Sequence, residues 1–102
     1  MRRSEVWWAL VHPKPRPVVL LSRDSLIDLR AFVVAAPVTT RVRHLRSEVT
    51  LGPEDGLPKP CVINASTLEM IPKTALIRRL TTLAPAKREA VDSALRFALG
   101  LD

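Results

Sequence analysis

Proline occupies every second position of His12-Pro13-Lys14-Pro15-Arg16-Pro17. Each ring fixes φ at about −65° and removes a backbone donor, so this stretch can be neither helix interior nor the middle of a sheet. It reads as a rigid, basic, extended connection between two apolar segments. On its N-terminal side, Glu5 to Val11 consists mostly of β-formers, and the adjacent Trp7 and Trp8 must point to opposite faces of a strand. One indole is expected in the core and the other at an interface. On its C-terminal side, Val18-Val19-Leu20-Leu21-Ser22 lacks polar alternation, the pattern of a central strand buried on both faces.

The remaining elements follow in the same manner. Arg23-Asp24-Ser25 is suited to a short turn, and Ala31 to Ala36 forms a third strand that stops at Pro37. Thr39 and Thr40 open a basic loop, Arg41 to Arg46, after which Ser47 to Leu51 alternates with the period of a half-exposed strand. Gly52 to Gly56 is turn chemistry, and Cys61 to Ile71 reads as one long strand, bent near Asn64 to Ser66. A turn of helix over Lys73 to Leu76 and a last strand over Ile77 to Leu83 follow. Pro85 at a first helical position and Gly100 at a C-terminal cap then bound an amphipathic helix. Its apolar stripe is Val91, Ala94, Leu95, Ala98 and Leu99, with Phe97 off the stripe and free for an edge contact or a subunit interface. The sum is about five to seven short strands and one terminal helix, a small barrel rather than a βαβ fold. At 102 residues, it is a single domain over residues 1–102.

Charge narrows the choice of partner. The chain carries a net charge of +6, and nine basic against three acidic side chains fall within residues 1–46, so the remainder is neutral. A localised site for a polyanion is the direct implication. One cysteine, Cys61, excludes an internal disulfide, and with only His12 and His44 beside it no structural zinc site can be assembled. Cys61 itself is expected to be a small core residue. No apolar run approaches the ~20 residues needed to span a bilayer, and the cytoplasm is the expected location. Three glycines leave no phosphate-cradling loop and no nucleophile elbow.

What the residues permit is narrower. Two basic loops, one holding Lys14 and Arg16 and the other running from Thr39 to Arg46, leave the ends of neighbouring apolar strands and would meet. Such a site suits phosphate. It also suits cleavage of RNA without metal or cofactor, in which the substrate's own 2′-hydroxyl attacks phosphorus and the protein arranges cations and proton-transfer groups around the developing charge.

Taken in order along the chain, these segments resemble the MazF/PemK family of toxin endoribonucleases. Glu5-Val6-Trp7 matches its opening strand, Arg16-Pro17-Val18-Val19-Leu20-Leu21-Ser22 its Arg-Pro, apolar run and Ser signature, and Pro37-Val38-Thr39-Thr40 its Pro-x-Thr-Thr/Ser motif. Val62-Ile63-Asn64-Ala65 through Ile71, Ala84-Pro85 and the closing helix follow the family's C-terminal order. The resemblance implies an SH3-like barrel of the CcdB/MazF type that forms homodimers, cleaves single-stranded RNA and is neutralised by an acidic antitoxin. It also implies a catalytic pair, Arg16 and Thr39. Lys14, Thr40, Arg41 and Arg43 then become RNA-binding residues, and His12 and His44 candidates for proton transfer, since an imidazole titrates near neutral pH. Two departures stand out. Ser4 replaces the glycine that usually opens the first strand, and the connection from His12 to Pro15 is much shorter than the usual substrate-covering loop. The rival readings are a CcdB-like gyrase poison, which would need a C-terminal tryptophan segment where this chain has Gly100-Leu101-Asp102, and a non-catalytic nucleic-acid-binding barrel.

Overall fold

The computed structural model describes residues 1–11 and 13–102. Among these residues seven strands and two α-helices follow one another: β1 (Glu5–Val11), β2 (Lys14–Leu20), α1 (Asp24–Leu29), β3 (Phe32–Thr39), β4 (Glu48–Leu51), β5 (Cys61–Asn64), β6 (Glu69–Pro72), β7 (Leu76–Thr82) and α2 (Pro85–Leu99). All pairs are antiparallel. The sheet runs β4-β5-β3-β2-β1-β7, with β6 paired to β3 beside that path, so the strands curl as an open barrel without closing the ring.

The proline-rich stretch is largely strand, not connection. β2 starts at Lys14 and pairs with β1 through Trp8–Pro17, Ala9–Arg16, Leu10–Pro15 and Val11–Lys14. Strand N–H groups point alternately to the two sides, and here the side is fixed by neighbouring hydrogen bonds. Ser4 N–H donates to Leu20 O (2.8 Å), toward β1, whereas Leu21 N–H donates to Val34 O (2.8 Å), toward β3. Odd-numbered residues of β2 therefore face β3, and the donors missing at Pro15 and Pro17 are withheld from β3 alone. Every second position is the one spacing at which prolines spare the β1 ladder.

The same logic corrects the third strand, which continues through Pro37 to Thr39. β3 pairs with β6 over Phe32 to Ala35 and with β5 at Val38 and Thr39. Pro37 falls between the two partners, where no donor is required. Likewise, Cys61 to Ile71 is not one bent strand but β5 and β6, separated by a turn in which Asn64 Oδ1 accepts from Ser66 N–H (3.1 Å) and Oγ–H (2.7 Å). The turn expected at Arg23 to Ser25 instead opens the six-residue helix α1. The last strand and α2 lie where the sequence puts them, and Gly100 adopts φ 68° at the C-terminal cap.

From Val18 onward both faces of β2 are buried. Val18 and Leu20 pack with Ala9, Ile27, Val33 and Ile71 on one side, while Val19 and Leu21 join Val6, Ala36, Ile63, Leu83, Val91 and Ala94 on the other. Of the α2 stripe, only Val91 and Ala94 are buried, and Leu99 is exposed. Phe97 makes the edge contact, with the Arg46 guanidinium 4.2 Å over its ring. Both tryptophans are half-buried, and Trp7 packs against the core.

Ser4 and Glu5 lock the N-terminus. Ser4 holds φ 73°, a left-handed conformation that glycine adopts freely, and bridges β2 to Leu83 through its backbone. Glu5, nearly buried, accepts from Arg2 N–H (2.8 Å), Trp7 Nε1–H (2.9 Å) and Arg79 Nη1–H (3.3 Å). Burial raises its pKa, but these donors, with the N-terminal ammonium, outweigh burial and hold it below the ordinary value of 4.5. A lowered folded-state pKa contributes stability that is present above the unfolded-state value and lost as pH falls through the folded one. The melting temperature should therefore fall below about pH 4.3, and more steeply than in Glu5→Gln, which lacks that titration. Thermal melts from neutral pH to pH 3 read this directly, and parallel curves for the two proteins would exclude Glu5 as the source.

Candidate functional site

Arg16 and Thr39 meet at a fork in the sheet. β2 and β3 pair at Leu20–Ala35, Val19–Ala36 and Val18–Pro37. Two residues further along each strand, the same register sets Arg16 opposite Thr39. No pairing extends that far among the described residues, because Arg16 stays with Ala9 of β1 while Thr39 stays with Val62 of β5. The donor needed to continue the ladder would come from Pro17, so the sequence itself opens the fork. Side-chain alternation sets Arg16 on the face of Val18 and Leu20, and Thr39 on the face of Val33 and Ala35, which belong to one core cluster. The guanidinium and the hydroxyl therefore share a face of the sheet. Both residues are half-buried.

Local bonds refine this picture. Arg41 N–H donates to Thr39 Oγ1 (3.1 Å), which occupies an oxygen lone pair and leaves the hydroxyl proton free to donate. Arg16 has no acidic partner among the described residues, so its charge is available for an incoming anion. Lys14 is exposed beside it on β2, across from Val11. Thr40, Arg41, Arg43 and His44 are all exposed on the loop after β3, where His44 takes φ 59°. Arg46, in contrast, is committed to Phe97. His12 lies outside the described residues. Cys61 is buried, and burial, followed by the carboxylates of Asp55 and Glu54, pushes its thiol pKa up, as suits a core residue.

Two features escaped the sequence reading. Glu48, expected only as the polar side of a half-exposed strand, turns its carboxylate onto the basic loop and accepts from Arg43 N–H (3.0 and 3.2 Å) and Leu45 N–H (3.3 Å). Its place directly after a run of arginines was the available signal. Glu69 has a buried oxygen, Oε2, without a hydrogen-bond partner among the described residues; it lines a cavity of about 260 Å³ with Val11 and Ala75. A larger cleft of about 820 Å³ lies between Arg23 and the end of α2, away from the fork. A strand of RNA is long and solvated, so it needs an open charged face more than an enclosed cavity.

Known proteins share this architecture. Residues 2–99 match the model of the PemK-like, MazF-like toxin of type II toxin-antitoxin systems. The chain is similar to a probable endoribonuclease MazF2 of Mycobacterium tuberculosis, with 38% identity over 98% of this chain and 99% of the relative. It is similar also to a probable endoribonuclease MazF5 of that organism, at 38% over 95% and 91%. Among solved structures, an endoribonuclease in complex with its cognate antitoxin from a mycobacterial species superposes with a TM-score of 0.92, at 29% identity over 100% of this chain and 97% of that one. The M. tuberculosis toxin MazF-mt6 gives 0.89, at 32% identity over 96% and 98%.

Proposed function

Because this chain belongs to the PemK-like, MazF-like toxin family of type II toxin-antitoxin systems, we propose that it is an endoribonuclease that cleaves single-stranded RNA at the fork between β2 and β3. The observation that supports this reading most is the register that sets Arg16, a guanidinium with no acidic partner among the described residues, opposite a hydroxyl, Thr39, on one face of the sheet. In the reaction, the substrate 2′-hydroxyl loses its proton and attacks the adjacent phosphorus, and the bond to the 5′-oxygen breaks. Charge builds on the non-bridging oxygens as the five-coordinate state forms. Arg16, permanently cationic and able to hold two oxygens at once, stabilises that charge. Thr39, with Arg41 N–H on its oxygen, donates its own proton to the same group. A guanidinium cannot accept a proton, so proton transfer falls to another group, and His12 and His44 are the imidazoles nearest to Arg16 and Thr39 in the sequence.

Lys14, Thr40, Arg41 and Arg43 bind the RNA backbone on either side. With β2 starting at Lys14, three residues after β1 ends at Val11, there is no room for a long loop between them to cover the substrate, and cations supply the hold. If Lys14, Arg16, Arg41 and Arg43 each neutralise one phosphate, the logarithm of affinity should fall against that of salt with a slope of about −3, at roughly −0.7 per single-strand contact. Fluorescence anisotropy across a salt series measures it, and a flat response would remove this division of labour. The toxin acts in the cytoplasm as a homodimer, and exposed Phe32 and Met70, on adjacent strands, offer apolar surface for a second copy. An acidic antitoxin segment is the inhibitor that suits a chain whose excess charge lies in its first 46 residues. Among the described residues no helix is long and apolar enough to cross a membrane.

The deciding experiment incubates wild type, Arg16→Ala and Thr39→Ala with a mixed single-stranded RNA in EDTA and maps the new 5′ ends. Cleavage by wild type and its loss in both variants are expected. No cleavage by wild type, or equal cleavage by all three, would defeat the reading.

A further inference from the structure

We propose that Glu48 is the positioning residue of the basic loop, holding Arg41 and Arg43 at the site from a backbone nest rather than by pairing with their side chains. This role rests on the nuclease reading above and adds to it a residue outside the catalytic pair. Loops crowded with arginines repel themselves and sample many conformations. Here the main chain is fixed instead. His44, in the left-handed region at φ 59°, turns the N–H groups of its neighbours Arg43 and Leu45 toward one point, a concavity suited to an anion. The Glu48 carboxylate fills it, with both oxygens on Arg43 N–H and one also on Leu45 N–H, while Glu48 N–H returns a bond to Leu45 O (3.0 Å).

What the carboxylate is rooted in matters as much. Glu48 lies between buried Ser47 and Val49 at the start of β4, and pairs across the sheet with Asn64. The loop thus leans on a strand, which is more rigid than another loop. Its other attachments lie at its ends, where Arg41 N–H meets Thr39 Oγ1 and the Arg46 guanidinium covers Phe97. Between them, the guanidiniums of Arg41 and Arg43 are exposed, with no acidic partner among the described residues. A carboxylate that bonded those side chains would neutralise them. One that bonds the backbone leaves their charge for phosphate.

The test compares wild type, Glu48→Ala and Glu48→Gln on a single-stranded RNA oligonucleotide that wild type cleaves. Amide hydrogen exchange at Arg43 and Leu45 should quicken by about tenfold or more in Glu48→Ala. KM should rise by about tenfold with kcat within about twofold, and the salt slope should flatten toward that of an Arg41→Ala, Arg43→Ala double variant. Glu48→Gln keeps one acceptor oxygen and should recover part of the KM; it also serves if the alanine variant unfolds. An unchanged KM in a folded Glu48→Ala, or a wild-type KM in Glu48→Gln when the alanine variant does not fold, overturns the role. So does a drop in kcat at constant KM, which would place Glu48 in the chemistry. A wild-type chain that neither binds nor cleaves RNA overturns the nuclease reading and this role with it, an outcome distinct from failure of the Glu48 variants alone.

Discussion

Arg16→Ala should lower RNA cleavage by about two to three orders of magnitude, the usual loss when one preorganised donor to a developing oxyanion is removed. The fold should hardly notice. Arg16 makes no hydrogen bond or salt bridge from its side chain among the described residues, and the Ala9 pairing is carried by its backbone. Its melting temperature should therefore stay within about 4 °C of wild type, as for other substitutions away from packed sites. Arg16→Lys is the informative companion. It keeps the charge but not the planar fork, so partial recovery would assign the effect to charge, and no recovery would assign it to bidentate geometry. The measurement is single-turnover cleavage, which separates chemistry from RNA binding and product release. A loss below about tenfold would mean that Arg16 only binds.

Leu20→Ala should have the largest effect on stability. Leu20 is fully buried at the centre of the sheet, between Ala35 of β3 and the first strand, and its cluster includes Ile27 of α1 and Ile71 of β6. Removing a buried leucine side chain costs about 2–5 kcal/mol, because lost transfer energy is compounded by a cavity that rigid neighbours cannot close. Against a domain stability of about 5–15 kcal/mol, that is a large share. The melting temperature should drop by about 8–40 °C, with the denaturant midpoint falling at nearly constant slope. Activity per folded molecule should hold at low temperature. A drop of under about 4 °C would show that the β2 core relaxes around the gap.

Most of the fold could be read from hydrophobic pattern, because β2, β3 and α2 carry runs or periodicities that only burial explains. The misreadings of strand boundaries share one cause. Pro15, Pro17 and Pro37 each seemed to stop a strand, since a missing donor is costly wherever a partner awaits it. Which side of a strand has a partner is a matter of topology, and that is absent from local sequence. The split of residues 61–71 into β5 and β6 has the same origin, for β5 pairs with β3 at Val38 and Thr39 and β6 with β3 over Phe32 to Ala35, and the turn after Asn64 carries the chain from one stretch to the other. At the site, Arg16 and Thr39 were legible as motif residues. Their facing register was not, because it depends on pairing between segments some twenty residues apart. Glu48 escaped for a different reason: its place after the arginines suggests an ion pair with their side chains, whereas its partners are backbone amides, which the sequence does not mark.

The alternating prolines have a consequence that concerns the unfolded chain. A residue that precedes proline is barred from much of the helical region, and Lys14 and Arg16 each sit between two such rings. Before the protein folds, this segment already spends most of its time extended, near the conformation it adopts in β2. Little backbone entropy is then lost when the sheet forms, and the root of the Arg16 side chain is held without any added native contact. The entropy that an enzyme must surrender to aim a cation at phosphorus is thus largely removed in the covalent chain, before there is a fold or a substrate.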